Sequence, residues 1–203
     1  MLTTVNKMIT TTQTVVLILV KDFSAVHTTT SLAQQLKMSR WGVWKVIKKL
    51  QQEEIIALQP TGKGKTSTQT IHLNWNNKLI EKIIMLALAQ EASAHKRWSF
   101  TFAELEKEVD FLLLYGSILH SPKRAGDIDI LSVAPEEKLS AINRISFIIQ
   151  KTQEKKIHLY NLTVQEFTQE LRKPNKVFLD ALKRGVILFG QDTFVEFMKR
   201  LFP

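Results

Sequence analysis

Residues 111–133 read Phe-Leu-Leu-Leu-Tyr-Gly-Ser-Ile-Leu-His-Ser-Pro-Lys-Arg-Ala-Gly-Asp-Ile-Asp-Ile-Leu-Ser-Val. An apolar run, Val109 to Tyr115, ends at Gly116-Ser117, and Asp127-Ile128-Asp129-Ile130 follows after a short spacer. The run reads as a strand, Gly-Ser as the start of a helix, and Ile128–Val133 as a second strand. Residues two apart on a strand point to one face, so Asp127 and Asp129 project side by side. Paired carboxylates repel and desolvate one another unless a cation sits between them. Oxygen ligands suit Mg²⁺ or Mn²⁺, and Mg²⁺ takes substrate phosphates as further ligands. Gly116 lets the backbone approach a phosphate, which the Gly116 and Ser117 amides and the Ser117 hydroxyl would hold at a helix N-terminus.

Working outward, Lys156–Thr163 reads as a further strand followed by a helix from Val164. Asn175–Leu182 comes next, then Gly185-Val-Ile-Leu-Phe-Gly190 and a last helix. Glycine-serine, a spacer and Asp-x-Asp in this context resemble the nucleotidyltransferase fold of the DNA polymerase β superfamily, in its small prokaryotic branch of minimal nucleotidyltransferases. The resemblance implies metal-dependent transfer of a nucleoside monophosphate from a nucleoside triphosphate to a hydroxyl, two metals bridging the triphosphate. It implies that Asp127 and Asp129 hold Mg²⁺ or Mn²⁺ and that Gly116 and Ser117 grip the phosphates. Lys123 and Arg124, in the spacer, either neutralise phosphate charge or are merely solvated. Some relatives modify toxin partners, so the implied acceptor includes a protein of that kind.

The chain departs from that pattern at the third carboxylate. Laying Ile157–Phe167 on the relevant strand puts His158 at its position. A neutral imidazole ligates metals or acts as a base, but it suits a softer ion than Mg²⁺. The alternatives are an inert His158 in a degenerate site, or Glu154 reaching in if the strand starts earlier. His120, three residues after Ser117, is a weaker candidate near the phosphate turn.

The N-terminal part has another character. Residues 1–78 carry ten Lys/Arg against three Asp/Glu, an excess of seven out of the chain's +9. That asymmetry suggests two modules, one of which meets a polyanion. The pattern predicts a helix over Val5 to Val20, a short one over Leu32 to Lys37 capped by Thr30 or Ser31, and a third from Arg40 to about Glu53 capped by Ser39. Val43, Ile47 and Leu50 face a core, while Trp41, Trp44, Lys45 and Lys48 lie opposite. Two strands, Ile55–Leu58 and Thr68–Trp75, flank the basic turn Thr61-Gly-Lys63-Gly-Lys65-Thr66. Leu32, Ala33, Leu36 and the stretch from Ser39 to Ile56 resemble the helix-turn-helix and following strand of winged-helix regulators.

That resemblance implies double-stranded DNA as partner. Ser39, Arg40, Trp41, Trp44, Lys45 and Lys48 would contact the groove, and Lys63 and Lys65 the phosphates. The two tryptophans suit either stacking on sugars or bases, or packing under the wing or in a dimer contact. Winged helices of another kind bind protein.

The expected architecture is α+β. A winged helix-turn-helix occupies residues 1–75, connecting helices 76–108, and a nucleotidyltransferase-like domain with a small mixed β-sheet flanked by helices 109–203. The helix from Asn76 or Asn77 to about Ala94 is apolar over too broad a stripe for one exposed face, and Ser99 to Glu108 reads as another helix.

With 203 residues, 44% of them apolar and 23% charged, the chain is able to bury a core. It has no cysteine, which excludes a disulfide scaffold, a thiolate metal site and a Cys nucleophile. The longest apolar runs, Val15–Val20 and Ile83–Ala89, are far shorter than a membrane span, and no secretory signal is evident. A cytoplasmic homodimer is expected, acting either as a DNA-binding nucleotidyltransferase or as a non-catalytic regulator whose second domain binds nucleotide or dimerises.

Overall fold

The computed structural model describes residues 9–62, 68–173 and 175–202. Its chain divides into two compact units, residues 1–87 with 198–203 and residues 88–197.

In the first unit, helix α1 spans Thr11–Lys21. Thr10 caps it, accepting from the Gln13 N–H while the Gln13 side chain accepts from the Thr10 N–H; the part of the expected helix from Val5 to Met8 lies outside the described residues. Helix α2, Thr29–Leu36, is capped by Thr28, not by Thr30 or Ser31. Ser31 instead supplies the returning half of the capping box, its hydroxyl accepting from the Thr28 N–H at 2.8 Å. Lys37 ends α2 in the left-handed region, φ 53°. Ser39 then caps α3, Arg40–Gln52, by accepting from the Gly42 N–H. This is a helix-turn-helix, closed at its core by the buried side chains of Val16, Leu32, Val43, Ile47 and Leu50.

Strand β1, Ile56–Pro60, pairs antiparallel with β2, Gln69–Leu73, in the register Ile56↔Leu73 to Pro60↔Gln69. The Ile71 N–H donates to the His27 carbonyl at 2.9 Å, which ties β2 to the segment ahead of α2. Side-chain amides of Asn74 and Asn77 donate to the Glu54 and Glu53 carbonyls just beyond α3. Three helices followed by an antiparallel hairpin make a winged helix-turn-helix. Lys63 and Lys65, which follow β1 and precede β2 in sequence, lie outside the described residues.

The unit boundary falls within α4, Lys78–Ser93. Beyond it, the expected single helix over Ser99 to Glu108 is instead α5, Lys96–Thr101, and a 3₁₀ turn at Ala103–Leu105. Phe102, fully buried, leaves helical geometry at φ −103°, ψ 15° and separates the two.

Strands β3, Phe111–Tyr115, and β4, Asp127–Val133, pair antiparallel. β5, Lys156–Leu162, lies parallel to β4, and β6, Val186–Phe189, antiparallel to β3, giving the order β5-β4-β3-β6. A parallel neighbour demands a crossover, which α6, Leu139–Gln150, provides. The expected helix at Ser117 is a three-residue 3₁₀ turn, Ser117–Leu119. Helices α7, Val164–Arg172, α8, Lys176–Arg184, and α9, Gln191–Leu201, complete the chain.

One face of the sheet buries Leu112, Leu114, Ile128 and Ile130 in a core with Trp98, Phe102, Ile142 and Ile149. On the other, Phe111 is surrounded by the rings of Phe167, Phe194 and Phe197, at 5.1, 5.4 and 6.2 Å between centroids. Phe111 stands opposite Val133. Strand alternation therefore puts Asp129 and Asp127 on this second face, at the far end of β4 from the phenylalanine cluster.

Candidate metal centre and nucleic-acid interface

The parallel register pairs Asp129 with His158 and Asp127 with Lys156. Alternation along β5 then turns His158 toward the acids. Its Nδ1 lies 3.4 Å from Asp127 Oδ2 and 3.4 Å from Asp129 Oδ1. Ligating atoms of all three residues fall within 4.8 Å of one another, a grouping that no other three acids, histidines or cysteines make among the described residues.

Donor atoms bound at about 2.1 Å would be separated by about 3.0 Å at octahedral angles and about 3.4 Å at tetrahedral ones, so the two His158 separations are within reach of a shared cation. Exposure grades across the group, from 22% for the Asp129 side chain to 47% for His158, so the mouth opens to solvent on the His158 side. Burial raises the Asp129 carboxyl above its usual range, and the neighbouring Asp127 charge pushes the same way; His158 opposes both. A bound cation would offset both penalties.

Gly116 faces this group. Its backbone, φ 82° and ψ −164°, lies in a region that only glycine occupies readily. A β-carbon there would collide with Asp129 Oδ2. The turn that follows is held by the Ser121 N–H donating to the Ser117 carbonyl at 2.8 Å. Ser117 and His120 are exposed beside it. Lys123 and Arg124 stand exposed on the turn leading to β4 and make no ion pair with Asp127 or Asp129. Glu154 sits in a bend before β5, outside the grouping, because the strand begins only at Lys156.

Two tyrosines that the sequence reading did not single out border the site. Tyr115 pairs with Asp129 across β3 and β4, and burial followed by the Asp129 charge raises its hydroxyl above the usual range. Tyr160, half-exposed, is two residues beyond His158. The two-residue spacing on β5 was the available signal for Tyr160. Tyr115 needed the β3–β4 register.

In the first unit, Trp41, Trp44, Lys45 and Lys48 follow one another at helical spacing on the outward side of α3, opposite Val43, Ile47 and Leu50. Trp41 is 62% and Trp44 41% exposed. Their indoles stack at 4.9 Å with 9° between planes. Lys45 Nζ lies 5.2 Å from the Trp41 ring centre and Lys48 Nζ 5.9 Å from that of Trp44. Arg40 and Ser39 are exposed at the start of the helix. No carboxylate lies along α3 before Glu53, so the face is cationic and aromatic throughout.

No family model matches this chain, and no curated protein does either. Solved structures that align with it include the adhesin competence repressor AdcR of Streptococcus pyogenes, 15% identical over 73% of this chain and 85% of that one, with a TM-score of 0.36. Another is ZitR of Lactococcus lactis, described as a zinc-responsive MarR family member, 22% identical over 71% of this chain and 77% of that one, with a TM-score of 0.32. No helix among the described residues is long and apolar enough to cross a membrane.

Proposed function

We propose that this chain is a winged-helix DNA-binding regulator whose second unit holds a divalent cation between Asp127, Asp129 and His158 and, through it, the phosphates of a nucleotide. The observation that carries the cation site is the approach of His158 Nδ1 to both carboxylates at ligand-to-ligand distance. Two carboxylates and one imidazole favour Mn²⁺ or another transition ion over Mg²⁺. When bound, the ion supplies the positive charge that phosphate oxygens require. The residues' own contributions are the donor atoms, the open mouth and the close backbone approach at Gly116. The DNA reading is supported by the cationic, carboxylate-free face of α3 on a helix-turn-helix, which fits the major groove. Paired half-sites call for a homodimer, which sedimentation tests.

The test of the cation site is calorimetric titration of the chain with MnCl₂, then with ATP in the presence of Mn²⁺. Binding is expected in both, and Asp127→Asn should abolish both. An Asp127→Asn variant that binds as the parent does would end the assignment.

A second reading is favoured by the acid pair standing against the Gly116-Ser117 turn. In it the unit transfers a nucleoside monophosphate to a hydroxyl, a protein acceptor included. His158 at the third ligand position weighs against turnover, since an imidazole is a poor substitute for a carboxylate on Mg²⁺. Incubation with α-labelled nucleoside triphosphates and Mg²⁺ or Mn²⁺, with and without DNA or lysate, decides between the two. Label retained on an acceptor establishes transfer, and none favours the regulator.

A further inference from the structure

The tryptophan pair on α3 is unusual for a helix that would enter a groove, and its geometry limits what it can touch. Each indole has its partner against one face and a lysine ammonium over its ring. With one face of each ring taken up by the other indole, the pair meets a duplex, whose bases are already stacked and paired, through its ring edges. Stacking on unpaired bases requires free faces; an edge of apolar carbon requires an apolar bump opposite. The major groove offers one such group, the 5-methyl of thymine. The lysines that cover the rings carry the charge that phosphates on either side would neutralise.

We infer that Trp41 and Trp44 make this helix read thymine methyl groups in the major groove. The inference rests on the DNA reading of α3 and adds the base feature it recognises. Trp41 lies in the first turn of α3 and Trp44 one turn on, where side chains of a recognition helix reach base edges. The lysines hold the helix in place without regard to sequence, and the indoles discriminate.

Alternating poly(dA-dT) and poly(dA-dU) duplexes differ only in the 5-methyl group, and fluorescence anisotropy at fixed moderate salt compares them. The parent chain is expected to bind the thymine polymer about fourfold more tightly for each methyl in contact, the effect of burying roughly one CH₂ group. Trp41→Ala and Trp44→Ala should each shrink that ratio toward one. Lys45→Ala with Lys48→Ala should weaken both polymers alike and flatten the salt dependence. All four residues are exposed or half-exposed, so the variants leave the core of the unit intact. Equal affinity of the parent for the two polymers overturns the methyl reading while leaving DNA binding standing. Failure to bind these polymers and a mixed-sequence duplex removes the DNA reading and this inference together. Tighter binding to single-stranded oligo(dT) than to either duplex overturns the inference in favour of base stacking.

Discussion

Replacing Gly116 with alanine tests whether the glycine turn and the acid pair form one device. At φ 82° and ψ −164° a side chain costs about 1–3 kcal/mol in backbone strain alone. The added carbon also collides with Asp129 Oδ2. That oxygen is the end of a flexible side chain, so the clash is relieved by rotating the carboxylate away, and the fold survives. The rotation takes the carboxylate out of the position from which it faces His158. Losing an outer-shell partner of a ligand typically costs about 10–100-fold in metal affinity, and displacing the ligand Asp129 itself should cost at least as much. Gly116→Ala is therefore expected to lower stability by about 1–3 kcal/mol in urea unfolding and to weaken Mn²⁺ binding by at least about tenfold in calorimetry. Gly126→Ala is the matched control, because nothing lies within 4 Å of a β-carbon there and its φ is outside the glycine-favouring range. It should match the parent in both assays. A Gly116→Ala protein that binds Mn²⁺ as tightly as the Gly126→Ala protein would refute the reasoning.

Three further outcomes are expected. His158→Asp supplies an oxygen-only site, so the ratio of Mg²⁺ to Mn²⁺ affinity should rise, measured by calorimetry with each ion. Phe111→Ala empties the fully buried centre of the cluster formed with Phe167, Phe194 and Phe197 and should cost about 3–5 kcal/mol in urea unfolding. Glu166 accepts from the Thr163 N–H at 2.8 Å and from its hydroxyl at 2.9 Å, which holds the carboxyl below its usual range. A folded-state pKa below the unfolded value gives stability that is present above the unfolded pKa and lost as pH falls through the folded one. Glu166→Gln removes that titration, so its stability should decline less than the parent's on acidification, measured by thermal unfolding across the carboxylate range.

Local signals in the sequence located several of these elements well and others poorly, for identifiable reasons. The apolar run ending at Tyr115 and the alternation from Asp127 mark β3 and β4 because each carries its own hydrophobic pattern and its own glycine boundary, Gly116 and Gly126. Ser39 was legible as the cap of α3 because no other hydroxyl adjoins it. The cap of α2 was harder to place, since Thr28, Thr29, Thr30 and Ser31 all carry hydroxyls and only the returning bond from Ser31 selects Thr28. Ser99 to Glu108 reads as one helix, since nothing local marks the buried Phe102 as the residue that leaves helical geometry.

The site depended on a non-local relation. His158 and Glu154 are both near the start of a strand in sequence, and only the register of β5 against β4, fixed across the α6 crossover, places His158 opposite Asp129. The stacking of Trp41 on Trp44 follows their spacing of three, but spacing alone did not separate an outward stack from packing under the wing.

Because β5 is an outer strand of its sheet and reaches its neighbour only through the α6 crossover, an ion shared between β4 and β5 would act as a clasp on an edge. Occupancy would then slow amide hydrogen exchange along Lys156–Leu162 selectively, and residence of the ion could be read from the breathing of one strand instead of from any chemical product.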